Sequence, residues 1–255
     1  MSFQGFYSDR VTYVDEAVPR LDLMIRLVTE LQPGSVLDVG CGGGLVLNEL
    51  VRRHPATYVG VDAMPGVPAQ GWTYRSADFT AGLPASDGEF DLVVAGEVIE
   101  HVPNPDSLLR EIRRVLSDDG VLVISTPNLV CWANRILVPL GVQPLFTETS
   151  SDVALGRRLK ALGQGNEVQG HLKVFTSRSL REILEREGYV VEQSYGTPFA
   201  FPGVLALVDR LMCRRLSWAS GLVYVARRGA GEPERPPAGV PRRVTPSRSW
   251  RRRRR

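Results

Sequence analysis

Lysine is almost missing from this chain. Of its 31 basic residues only Lys160 and Lys173 are lysine, leaving 29 arginines. That ratio matches the codon bias of a GC-rich genome, so arginine enrichment alone carries little weight as a signal. Cysteine is scarce as well: Cys41, Cys131 and Cys213 are odd in number and far apart. This excludes a disulfide framework and a zinc ribbon. No apolar run approaches the roughly 20 residues that a membrane-spanning helix needs. The longest, FAFPGVLALV at 199–208, falls far short, and no basic-then-apolar leader opens the chain. A cytoplasmic enzyme or binding protein is the expectation. No internal repeat is visible, and there is no aromatic platform of the kind that reads RNA bases.

What is present suffices for a good-sized core: 255 residues, 43% of them hydrophobic. The net charge of +3 divides unevenly. From Gly229 onward the chain holds nine Arg and two Glu, a net of +7, so the preceding 228 residues carry 3 − 7 = −4. Residues 1–228 are therefore expected to fold as one mildly acidic domain, with 229–255 a disordered Arg/Pro-rich tail. The five terminal arginines either grip nucleic acid or an anionic surface, or are simply solvated.

Short, β-branched, nearly continuous apolar runs occur at SVLDVG (35–40), TYVGVD (57–62), FDLVVAG (90–96) and GVLVIST (120–126), as strands buried on both faces require. TYRSAD (73–78) is a weaker strand, and YVVEQSYG and GLVYVARR supply the last two. Helical spacing marks LVLNELVRRH (45–54), DSLLREIRRVL (106–116) and TSRSLREILEREG (176–188). The second has Asn104 as a cap and Pro105 in its first turn, and the third is closed by Gly188. The first 30 residues read as one or two helices. Such alternation predicts an α/β fold with a mostly parallel sheet. Only AMPGVPAQGW (63–72) joins the second and third strands, so that connection is expected to be irregular. Residues 127–175 break the pattern and read as an inserted lid. Residues 198–216 add a helix with Leu205, Val208, Leu211 and Met212 on one side.

VLDVGCGGG ends the first strand and opens a helix, where glycines let a ligand approach the backbone and free N–H groups. Nicotinamide sites use a similar loop, but the third glycine of their G-x-G-x-x-G would fall at Leu45. Acids follow at successive strand ends: Asp38, then Asp62, placed for ribose hydroxyls, then Asp78. Three acids and no phosphate grip suit a cationic nucleoside such as S-adenosylmethionine.

At GEVIEHV (96–102) two carboxylates and an imidazole stand at the carboxyl end of the fourth strand, the rim where open α/β sheets bind ligands. Three chemistries stay open. Glu97, Glu100 and His101, with His171 of GHLKVF, can ligate a divalent ion such as magnesium, manganese or zinc. His101 or His171 can act as a general base without metal. Or Glu97 touches cofactor while Glu100 and His101 serve as capping groups.

VLDVGCGGG, VGVD, SADF, FDLVVAGEVIEHV and LREIRRVLSDDGVLVISTPN, in that order, resemble the successive motifs of class I S-adenosylmethionine-dependent methyltransferases. The resemblance covers about 35–128 and extends to about 191. It implies a Rossmann-like, mostly parallel seven-stranded sheet with an antiparallel last strand and helices on both faces. It also implies that Asp38, Gly40, Gly42 and Gly44 hold the methionine end of the cofactor, Asp62 the ribose, and Asp78 with Phe79 the adenine. Glu-x-x-Glu-His plus a distal histidine is similar to the arrangement in ubiquinone-biosynthesis O-methyltransferases and small-RNA 2′-O-methyltransferases. There an ion gathers two neighbouring substrate hydroxyls. The expected acceptor is a hydroxyl or amine of a small polyhydroxylated or phenolic molecule, as in specialised metabolism. RNA held by the tail and a non-catalytic cofactor-binding module are the rivals. Trp132, Arg135, Phe146, His171 and Phe175 are candidates for the acceptor wall, with Tyr7 and Tyr13 closing over the cofactor.

Overall fold

The computed structural model describes residues 19–64, 70–79, 81–156, 168–199 and 201–231. Tyr7, Tyr13, part of the 63–72 connection, residues 157–167 of the lid and all but three residues of the tail lie outside them. Helix α1 (Pro19–Leu31) leads into strand β1 (Ser35–Val39), followed by α2 (Leu45–Arg53), β2 (Thr57–Asp62), β3 (Thr73–Ser76) and β4 (Phe90–Gly96). Then come α3 (Pro105–Val115), β5 (Leu116–Pro127), α4 (Trp132–Leu137), α5 (Ser177–Arg186), β6 (Tyr189–Thr197), α6 (Val204–Met212) and β7 (Gly221–Arg228).

The seven strands form one sheet in the order β3-β2-β1-β4-β5-β7-β6. Neighbours from β3 to β5 pair parallel, and β7 runs antiparallel to both β5 and β6. Alternate residues of the central strands feed two cores, because successive side chains of a strand point to opposite faces. Leu37, Val39, Val93, Ala95, Leu122 and Ile124 pack with Leu109 and Ile112 of α3 and Leu180 of α5. Val36, Leu92, Val94, Val121 and Val123 pack with Met24 and Val28 of α1 and Leu47 of α2.

Helix termini follow their sequence signals. The Asn104 side chain accepts the Ser107 N–H at 3.1 Å, with Pro105 in the first turn. Thr176 and Ser179 form a reciprocal capping box at the start of α5, and Gly188 follows its end at φ 84°. Two boundaries differ from expectation. Leu116 is already extended and pairs with Phe90, so β5 begins where the helix was expected to end. In α6, Leu211 is 53% exposed. The inward positions are Leu205, Val208, Asp209 and Met212, at true helical spacing. Asp209 is tolerated inside because it accepts bonds from Trp132 Nε1 (2.7 Å), Ser220 Oγ (2.5 Å) and the Phe199 N–H (2.6 Å).

The lid and the 198–216 segment share a core of their own. Cys131, Trp132, Leu137, Leu145 and Phe146 pack against Phe201, with Leu205, Val208 and Met212 against them. No helix among the described residues is long and apolar enough to cross a membrane.

Candidate active site

Both halves of the site sit at the carboxyl ends of β1, β4 and β5. The glycine turn after β1 takes the left-handed conformation at Gly40 (φ 70°), Gly42 (φ 51°) and Gly44 (φ 75°). At Gly40 two demands coincide: a Cβ there would lie 2.5 Å from Val98 Cγ2. The turn is clamped by Asp62, whose Oδ2 accepts the Gly42 N–H at 2.8 Å while Oδ1 accepts the Met64 N–H at 2.9 Å.

A cavity of about 330 Å3 opens over this turn, walled by Asp38, Gly40, Gly42, Met24, Asn48 and Arg20, among others. Asp38 points to the α1 side of the sheet, as Val36 does. Burial first, and then the Asp62 carboxylate, push its carboxyl up to about 8. A carboxyl so placed gains most from a cationic ligand, which would restore its charge. Asp62 holds this wall through the Gly42 N–H, and Gly44 is the N-cap of α2. Beyond β3, Asp78 is exposed, whereas Phe79 is buried in the core with Val61 and Leu83.

The two glutamates of GEVIEHV part company, and β5 explains why. Ser125 and Thr126 are consecutive on that strand and therefore face opposite sides of the sheet. Glu97 goes with Ser125: its Oε1 accepts the Ser125 hydroxyl at 3.0 Å and pairs with Arg20 Nη1 at 3.1 Å. Glu97 adopts φ 58°, a left-handed backbone that non-glycine residues rarely take. Glu100 goes with Thr126, whose hydroxyl donates to Oε2 at 3.0 Å.

Glu100 is 1% exposed, and its Oε1 is buried with no hydrogen-bond partner. One ligand atom each from Glu100, His101 and His171 lie within 4.8 Å of one another, and the imidazole rings are 4.9 Å apart. Burial, then the Glu97 carboxylate, push the Glu100 carboxyl well above the usual range. Burial, then His171, pull His101 down to about 4, although the Gly170 carbonyl at its Nδ1 acts the other way. Glu100 Oε1 and His101 Nε2 lie 3.9 Å apart, and burial opposes the charged form of both groups.

The structure thus gathers Glu100, His101 and His171 and places Glu97 with Arg20 and Ser125. Of the proposed wall, Phe146 is in the lid core beside His171, its carbonyl accepting from His171 Nδ1 at 2.9 Å. Trp132 is buried against Asp209, Phe175 packs in the main core, and Arg135 lies over Trp218 with its centre 4.8 Å from the ring. Arg20 was not legible in the sequence: it is one arginine of 29 in a helix with no motif.

A family model described as a methyltransferase domain matches residues 14–194. The chain belongs to that family. This methyltransferase domain is 35% identical over 133 residues to a ubiquinone biosynthesis O-methyltransferase of Actinobacillus pleuropneumoniae, covering 47% of this chain and 56% of that one. It is 33% identical over 188 residues to the mitochondrial ubiquinone biosynthesis O-methyltransferase of Bos taurus, covering 64% and 50%. The chain spans about half the length of the curated relatives it matches. Among solved structures, the Burkholderia thailandensis 1,6-didemethyltoxoflavin-N1-methyltransferase, which holds S-adenosylhomocysteine, superposes with a TM-score of 0.57 at 17% identity, over 88% of this chain and 84% of that one. At that identity the likeness speaks for the methyltransferase fold alone.

Proposed function

We propose that this methyltransferase domain moves a methyl group from S-adenosylmethionine to a hydroxyl of a small phenolic or polyhydroxylated acceptor. The observation that carries the hydroxyl reading is the buried Glu100 Oε1, without a hydrogen-bond partner and gathered with two imidazoles at the strand ends. That two relatives are ubiquinone biosynthesis O-methyltransferases supports the same choice.

Asp38, Asp62 and the glycine turn bind and orient the cofactor, and Arg20 with Glu97 and Ser125 close the strand-end side of its cavity. Methyl transfer needs alignment of the nucleophile with the S–CH3 bond, and positioning contributes several kcal/mol (on the order of 7–11 for an ideal case). The acceptor proton has two possible receivers, the imidazoles of His101 and His171. Burial keeps His101 neutral but also lowers its proton affinity, which favours His171 as the base.

The same donor set fits a divalent cation. It has one carboxylate oxygen lacking a partner, and two imidazoles whose Nδ1 atoms are already committed to carbonyls. Glu100, His101 and His171 would hold it, and it would lower the pKa of a substrate hydroxyl there.

The test is calorimetric titration of manganese into metal-stripped protein containing S-adenosylhomocysteine, repeated with His171→Ala. One site in the wild type, lost in the variant, is the expected result and directs the acceptor search to catechols and vicinal diols. Absence of any site leaves the histidines as bases and excludes the metal. Failure to bind S-adenosylhomocysteine at all would sink the methyl-transfer reading.

A further inference from the structure

Both histidines of the site are held by backbone carbonyls of the lid, one from Phe146 itself and one from Gly170, whose N–H is bound by Glu148. His171 Nδ1 meets the Phe146 carbonyl at 2.9 Å, and His101 Nδ1 meets the Gly170 carbonyl at 3.3 Å. A carbonyl oxygen accepts only, so each Nδ1 carries the proton and each Nε2 is left with its lone pair. The Phe146 carbonyl reaches its histidine because Phe146 sits at φ 67°, a strained conformation for an aromatic residue.

The Gly170 carbonyl is aimed by a clamp on both sides. Upstream, the Glu148 carboxylate accepts the N–H of Gln169 and that of Gly170, the latter at 2.8 Å. Downstream, the N–H groups of Leu172 (2.8 Å) and Lys173 (3.0 Å) donate to the Glu100 carbonyl. Gly170 itself takes φ 83°, so its peptides turn sharply between these anchors. The downstream anchor is part of GEVIEHV, and the upstream anchor belongs to the lid.

We propose that Glu148 is a positioning residue: by holding the Gln169–Gly170 amides it aims the Gly170 carbonyl and so fixes the tautomer and ring orientation of His101. Together with the Phe146 carbonyl on His171, this makes docking of the 146–148 segment and competence of the histidine pair a single event. The functional meaning rests on the reading of the site given above; the tautomer assignment does not.

The experiment is nitrogen–proton correlation NMR of the imidazoles in the full chain, free of metal. The sequence has only three histidines, and His54 provides an internal standard. Its Nε2, 2.8 Å from the Pro33 carbonyl, carries the proton, giving the opposite tautomer. Wild-type protein should show His101 and His171 as Nδ1–H forms. Glu148→Ala should turn His101 into a mixture of tautomers while His171 and His54 keep theirs, and Glu148→Gln, which retains an acceptor, should restore much of the wild-type pattern. Manganese binding by the alanine variant should weaken roughly 10- to 100-fold. If Glu148→Ala does not fold, Glu148→Leu keeps the bulk without the acceptor and serves in its place. His101 unchanged as a pure Nδ1–H tautomer in the folded variant overturns the proposal. A tautomer shift in a protein that never binds manganese supports it and discards the metal reading instead.

Discussion

At the scale of single residues, the site shows how one position can serve two masters. Gly40 must take a left-handed backbone and must also leave room for Val98 Cγ2, which a Cβ would approach to 2.5 Å. Gly40→Ala should therefore destabilise the fold by roughly 1–3 kcal/mol, more than the usual glycine-to-alanine penalty at a positive φ. Chemical denaturation measures this, and a change within 0.5 kcal/mol (about the scatter of surface substitutions) would refute it. Glu97 and Glu100 make the complementary point. They stand three residues apart in one motif, yet Ser125 and Thr126 draw them to opposite faces of the sheet. Pattern reading groups them as one ligand set; strand alternation separates them.

At the scale of elements, α6 is the instructive one. A stripe of Leu205, Val208, Leu211 and Met212 is what hydropathy alone selects, because it discounts an aspartate. The folded helix instead turns Asp209 inward and Leu211 outward, since three donors wait for that carboxylate. Asp209→Ala strands the Trp132 indole, the Ser220 hydroxyl and the Phe199 amide, and should cost about 3 kcal/mol. Leu211→Ser, on the exposed side, should stay within about 0.5 kcal/mol of wild type. Equal losses in the two variants would mean that the helix face has been misassigned. Asp209 joins α4, α6 and the start of β7, so its loss should also loosen the lid, which protease sensitivity near 131–146 would register.

For the whole molecule, the buried Asp38 couples folding to pH in an unusual direction. Its carboxyl is raised to about 8 in the folded chain, against the ordinary 3.8 when unfolded. Between those values the folded state holds a proton that the unfolded state has released, so stability falls as pH rises through that window. The slope from this group is at most about 1.4 kcal/mol per pH unit. Asp38→Asn should flatten the fall in melting temperature between pH 5 and 8 in the empty protein. S-adenosylmethionine, whose charge favours the ionised carboxyl, should bind more tightly toward pH 8 in the wild type and lose that trend in the variant. Parallel pH curves for wild type and Asp38→Asn would show that Asp38 is not the group responsible.

The sequence by itself determined the sheet, its alternation with helices and the position of the glycine turn after β1. Those follow from local signals: buried apolar runs, a glycine turn, capping residues and acids at strand ends. It also brought His171 to the same cluster as Glu100 and His101, through a motif resemblance rather than through spacing. The tertiary structure decided what depends on partners far away in the chain. Arg20 meets Glu97 only because α1 packs across β4 and β5; Asp209 turns inward only because Trp132 and Ser220 converge on it. The tautomers of both histidines are set by lid carbonyls at Phe146 and Gly170. A local pattern records which face a residue prefers, and only the packed fold supplies the hydrogen-bond partner that makes a buried polar group worth keeping.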